Sequence, residues 1–134
     1  MRNSTSSISS LLLGISILLI GAGLLTTLLG IRAVVEGFSD TVIGFIMSSY
    51  FVGSVVGTYL CPVLIRRVGH IRSFSAMAAI AAAATLCHVL FIDAMVWAVL
   101  RFVVGFCVLG LYMVVESRFN PDFPLALYCG RAKH

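Results

Sequence analysis

Charged residues divide the chain into long apolar runs. Uncharged runs extend over residues 3–31, 41–65 and 73–92, and each reaches the about 18 to 20 residues that a helix needs to cross the hydrocarbon core of a membrane. A fourth run, 94–115, contains a single charge, Arg101. This pattern predicts an all-α, polytopic membrane protein with four transmembrane helices, at about 8–31, 41–65, 73–92 and 94–116.

Composition supports this prediction. Apolar residues make up 60% of the chain and charged residues 10%, against about 45–50% and about 25% in soluble domains. The lipid bilayer is therefore the expected environment. The four cysteines are too widely spaced for a metal pair or a disulfide framework, so we expect neither a metal nor another cofactor.

The amino-terminal run has an alternative interpretation. Arg2, an apolar stretch and the small residues 21–23 also resemble a secretory signal peptide. The apolar stretch continues past Gly23, however, which makes it longer than the about 7 to 15 residues of a signal core. We therefore expect a membrane helix here.

The distribution of basic residues predicts the orientation. The five segments outside the predicted helices carry one, one, three, no and three basic residues, in chain order. Since Lys and Arg concentrate on the cytoplasmic side, both termini and the second loop, with Arg66, Arg67 and Arg72, are predicted to be cytoplasmic. The expected location is the cytoplasmic (inner) membrane, in a multi-pass arrangement.

Small residues form a stripe on the predicted second helix. Ser49, Gly53 and Gly57 recur at four-residue steps, a spacing that lets helix backbones approach closely in lipid. We expect this stripe to pack against a neighbouring helix.

Arg101 is the one charge within a predicted span, roughly 10 Å from its outer end at about 1.5 Å per residue. A cation there suggests a functional site, because its burial costs at least about 2.5 kcal/mol. The alternative is that Arg101 extends outward to the headgroups. His88 lies near the same outer surface, where it serves either as a ligand or proton relay or as a packed helix residue.

Glu116 is predicted at the cytoplasmic end of the fourth helix. It can pair with Arg67 or Arg72 as a latch that forms in one conformation, or it can be a solvated acid worth about 0 to 1 kcal/mol in an exposed pair.

Three stretches resemble the amino-terminal part of a major facilitator superfamily transporter. RRVGHIR (66–72) is similar to the hinge motif of that family between helices two and three, with Arg67, Gly69 and Arg72 at matching positions. Arg101 and Gly105 match its "R, three residues, G" motif on helix four. Residues 32–57 resemble its first outer loop and glycine-rich second helix.

Departures from the family pattern affect the hinge. Pro62 and Arg66 stand where the motif has glycine and aspartate, and Val104 replaces a polar residue before Gly105. A charge relay built on that aspartate therefore cannot work in the same way, although Glu116 matches the acidic position that the relay reaches.

The resemblance implies a secondary active transporter that moves a small solute of unknown identity by alternating access, with proton coupling as a further expectation. It covers residues 1–120 as a partial amino-terminal domain, about four of twelve helices. We expect a truncated, frame-shifted or fragmentary copy that is not functional alone, with residues 121–134 as a cytoplasmic tail of non-family sequence.

Two other membrane functions are alternatives to a transporter fragment. A dimeric four-helix exporter is expected to carry an acidic residue in its first helix, and residues 3–31 contain none. A non-transporting scaffold would use the same features for topology and packing alone. No set of residues suggests an enzyme, and the basic cluster is too short for a nucleic-acid surface.

The predicted orientation can be tested with reporter fusions. A reporter joined after Ile71 should be active in the cytoplasm, and one joined at Asp93 should be active outside, because the three-arginine loop resists translocation. Alkaline phosphatase and green fluorescent protein activities report the two sides, and the reverse pattern would contradict the topology.

Overall fold

A computed structural model describes residues 2–119, which form four helices: α1 (Arg2–Val35), α2 (Asp40–Val68), α3 (His70–Leu90) and α4 (Ala94–Phe119). All four are long and apolar enough to cross a membrane, and the described residues contain no strand. The predicted all-α fold with four membrane-spanning helices is therefore confirmed. The predicted tail, 121–134, lies outside the described residues.

A glycine ends α1. The Gly37 backbone has φ 80°, its N–H donates to Val34 O at 3.0 Å, and the Phe38 N–H donates to Ala33 O at 3.1 Å. This is the paired hydrogen-bond pattern of a Schellman motif, which satisfies the last carbonyls of a helix. The chain can then reverse into α2 within a few residues.

The second connection is shorter than the sequence predicts. The segment 66–72 was expected to be a loop, but α2 continues through Pro62 and Arg67 to Val68, and α3 begins at His70. Gly69 alone separates the two helices, with φ 97°, a conformation that strains residues with a Cβ atom. Gly69 alone therefore reverses the chain between α2 and α3, and the other six residues of the segment 66–72 are helical.

Asp93 starts α4. Its Oδ1 accepts hydrogen bonds from the Met95 N–H at 2.8 Å and from the Val96 N–H at 3.4 Å, as an N-cap does. The connection from α3 covers residues 91–93, so α3 ends at Leu90, two residues before the predicted end.

The largest helix interface joins α2 and α4. A Cβ atom at Gly53 would overlap the backbone of Phe102, and one at Gly105 would overlap the backbone of Tyr50. Ser54 Oγ also donates to Gly105 O at 3.3 Å. Two glycines on opposite helices therefore permit backbone-to-backbone contact.

The small stripe predicted on α2 lies partly in this interface. Gly57 is buried against Phe106, whose carbonyl oxygen would be 3.3 Å from an added Cβ. Ser49, the third member, donates to Phe45 O of its own helix at 3.0 Å. The stripe thus packs on α4 through its two glycines.

Further along α2 and α4 from the contact at Gly53 and Gly105, apolar side chains of α2, α3 and α4 form a common core. Cys61 of α2, Met77 of α3 and Cys107 of α4 are buried together, with Leu111 and Val114. Both cysteines are free thiols and fill space as small apolar residues.

In contrast, α1 lies at the periphery. Among its described side chains, only Leu29 and Ala33 are buried, and they pack near its carboxyl end against Ile46 and Trp97. Most of the rest of its described apolar surface is exposed, as expected where lipid is the solvent.

Substitution of Gly53 by alanine should disrupt the crossing, because the added methyl group meets backbone that cannot rotate away. We expect a loss of about 2 kcal/mol in the free energy of unfolding, measured by thermal or denaturant unfolding in detergent micelles.

The matched control is Gly44→Ala on the same helix, where an added Cβ meets nothing within 4 Å. This change should be neutral or stabilise the helix by up to about 1 kcal/mol. Equal stabilities for the two variants would show that the α2–α4 contact is not formed.

Candidate functional site

Arg101 lies in the interior of the described structure. Its side chain, on α4, is only 1% exposed. Nη1 donates to Thr26 Oγ1 at 3.2 Å and Nη2 donates to Leu25 O at 3.3 Å. The guanidinium is thus held by α1. It does not extend outward to the headgroups, so the alternative interpretation of Arg101 does not apply to this structure.

No carboxylate neutralises this cation among residues 2–119. Glu36, just past the end of α1, pairs with Arg32 at 3.7 Å, and Asp40 and Asp93 lie at the starts of helices. Both acceptors of Arg101 are neutral oxygens, and its Nε has no hydrogen-bond partner. An uncompensated buried charge is costly, which marks Arg101 as the unusual residue of the fold.

His88 is buried in the same region, on α3, at 1% exposure. Its Nδ1 lies 2.7 Å from Ala84 O, and because a carbonyl only accepts, Nδ1 carries the hydrogen. Nε2 has no partner. His88 also lies within electrostatic range of Arg101, so these two predicted residues lie in the same region of the bundle.

Trp97 is a site residue that the sequence analysis did not identify. It is fully buried one helical turn before Arg101, its ring centroid lies 6.2 Å from that of His88, and it stacks edge-on against Phe38 at 5.5 Å. Its Nε1 donates to Phe91 O. The i, i+4 spacing from Arg101 was the available signal.

Gly105 and Tyr50 connect the site to the helix crossing. Gly105 follows Arg101 by one turn and contacts the Tyr50 backbone, while Tyr50 lies within electrostatic range of Arg101. The "R, three residues, G" pattern therefore places a charge and a close helix contact on one face of α4.

The residues of the hinge motif lie at the opposite end of the bundle. Arg66 and Arg67 occupy the last turn of α2, Gly69 is the junction, and Arg72 is exposed in the first turn of α3. Glu116 is partly buried on α4. Within the described residues, Glu116 forms no ion pair with Arg67 or Arg72, so the latch stays a prediction.

A groove of about 360 Å³ lies between α2 and α4, lined by Ser49, Val52, Met95, Val99 and Phe102 among others. Its walls are apolar, and Arg101 is not part of them. In the described part of the chain, no group of three or more His, Cys, Asp or Glu residues could hold a metal ion.

Comparison with known proteins shows similarity to a transporter. The chain is 34% identical over 117 residues to the uncharacterized MFS-type transporter YcaD of Escherichia coli K12, with the same values for the proteins of strains HS and ED1a. The match covers 87% of this chain but 31% of those relatives, so the chain spans about a third of their length. No protein-family model matches the chain, and no solved structure matches it significantly.

The similarity, together with four apolar helices, fits part of an MFS-type transporter and a multi-pass membrane protein. Those relatives are described as transporters.

The contact between Arg101 and α1 can be tested with Thr26→Val. This nearly isosteric change removes an acceptor from a buried cation, so we expect a loss of about 1 to 2 kcal/mol in the free energy of unfolding, measured by unfolding in detergent.

The control is Thr27→Val, since Thr27 donates only within its own helix, to Gly23 O at 3.1 Å. The control should retain the stability of the unmodified chain. A Thr26 variant as stable as the Thr27 variant would argue against the bond.

Proposed function

We propose that this chain supplies four helices of a secondary active transporter, which moves a small solute across the cytoplasmic membrane by alternating access. The observation that carries the proposal is Arg101: a buried cation held by neutral oxygens of α1, in a chain similar to an MFS-type transporter. A charge inside a membrane span is expensive and is a functional hypothesis by default.

The packing of the helices supports a moving part at the α1–α4 contact. Most of α1 is unburied, and its two bonds to the guanidinium are 3.2 and 3.3 Å long. By contrast, α2 and α4 are locked together at Gly53 and Gly105. Motion of α1 against this rigid pair would break and remake the Arg101 bonds at low cost in buried area.

Coupling to protons is assigned to His88 in this proposal. Its unpartnered Nε2 can accept a proton, and its electrostatic interaction with Arg101 would make that protonation depend on what neutralises the arginine. Imidazole is the side chain best suited to proton uptake near neutral pH.

The hinge is proposed to face the cytoplasm, where Arg66, Arg67 and Arg72 are drawn to the anionic inner leaflet, at about 1 kcal/mol each. Gly69 would then set the angle between α2 and α3, and Glu116 would pair with Arg67 or Arg72 in another conformation.

A chimera tests the proposal. This chain replaces the matching 117-residue segment of the E. coli K12 relative, and the product is reconstituted in proteoliposomes with a pool of small solutes. We expect solute-dependent proton flux that Arg101→Ala lowers by about tenfold or more, the scale of a lost interaction of 1.4 kcal/mol.

The control is Arg32→Ala, a cation at the end of α1 that pairs with Glu36 and should leave the flux unchanged. Flux that survives Arg101→Ala would overturn the assignment of the site. Flux from this chain without the relative's remaining segment would instead favour a self-sufficient small exporter.

A further inference from the structure

We infer that Arg101 is the binding residue for a carboxylate, so that the solute belongs to the class of small organic monocarboxylates. This inference rests on the proposed transport function and names the substrate class of the same site.

The guanidinium has unused donors in a suitable arrangement. Arginine carries five N–H groups in a planar fork, and Arg101 uses one on Nη1 and one on Nη2. Its Nε is buried and without a partner. Nε–H and one N–H on each Nη therefore remain without a partner, and a planar fork of N–H groups matches the two oxygens of a carboxylate.

The charge of the site favours a monoanion. Arg101 has no acidic partner among residues 2–119, and the proposal takes His88 in its neutral form, with its hydrogen on Nδ1 and no partner at Nε2. The site thus offers one positive charge. A single carboxylate neutralises it, whereas a doubly charged phosphate would leave excess negative charge in a low-dielectric interior.

The surroundings favour an organic ligand. Trp97 is fully buried one turn before Arg101, and the neighbouring Ala98 is 6% exposed. Both side chains belong to the buried apolar cluster in the turn before Arg101, and apolar surface near a charged group suits a small carboxylate with a hydrocarbon body.

A route to the site lies through α1. Thr26, which accepts from Nη1, is itself exposed, and the span of α1 is largely unburied. Separation of α1 from α4 at Leu25 and Thr26 therefore uncovers the guanidinium without disturbing the α2–α4 crossing.

Trp97 provides the readout, because it is the only tryptophan of the chain, lies one helical turn before Arg101 and has its ring centroid 6.2 Å from that of His88. The full chain in lipid nanodiscs is titrated with butyrate, with the neutral analogue butyramide and with inorganic phosphate, and Trp97 fluorescence is recorded. We expect a saturable change with butyrate alone.

Arg101→Gln should weaken butyrate binding by about tenfold or more, since the fork and the charge are both lost. Arg101→Lys keeps the charge but not the planar fork, and it should also weaken binding if the carboxylate is held by two N–H groups. Arg32→Gln is the matched control and should bind as the unmodified chain does. Circular dichroism checks that each variant is folded. If Arg101→Gln does not fold, the binding measured with Arg101→Lys decides the test.

Three results would overturn the inference: no saturable response to butyrate, an equal response to butyramide or phosphate, or binding that Arg101→Gln and Arg101→Lys leave unchanged. Arg101-dependent proton flux in the chimera without butyrate binding would reject the monocarboxylate class and leave the transport function standing. Butyrate binding without flux would reject transport.

Discussion

The structure depends on the close approach of α2 and α4. At Gly53 and Gly105 the two backbones touch, because neither residue has a side chain to separate them. In lipid, where apolar side chains gain little from leaving the solvent, such contacts supply much of the attraction between helices. The pair is the frame on which α3 packs through the cluster of Cys61, Met77 and Cys107.

A second constraint is the charge of Arg101 within this apolar frame. The guanidinium needs acceptors within hydrogen-bond distance, and a helical carbonyl oxygen keeps a second lone pair that can accept from it. Arg101 therefore reaches to α1, where a carbonyl and a threonine hydroxyl accept its N–H groups. These two hydrogen bonds attach the peripheral helix α1 to the core, and they leave Nε without a partner. Arg101 therefore contributes both to the stability of the fold and to the proposed function.

The agreement and the differences between sequence and structure have a common explanation. Apolar length predicts spans well because the thickness of the bilayer sets it, and all four helices were found. The junction at Gly69 was predicted as a seven-residue loop because charged residues were taken to end the helices. Arginines in the last turn of a helix are favourable, however, and their long side chains can reach the headgroups from a helical backbone. The ends of helices are thus less certain than their existence.

By itself, the sequence determined that lipid surrounds the chain, that four helices form, and that one charge, Arg101, stands among apolar residues. These features follow from composition and from spacing along the chain. Four-residue spacing also identified Gly53 and Gly57 as packing residues. Only the tertiary structure decided that α4 is their partner, that Arg101 bonds to Leu25 and Thr26, and that the rings of Trp97 and His88 are neighbours. Those facts depend on how helices cross in space, and crossing joins residues that are distant in sequence and carry no local signal of one another.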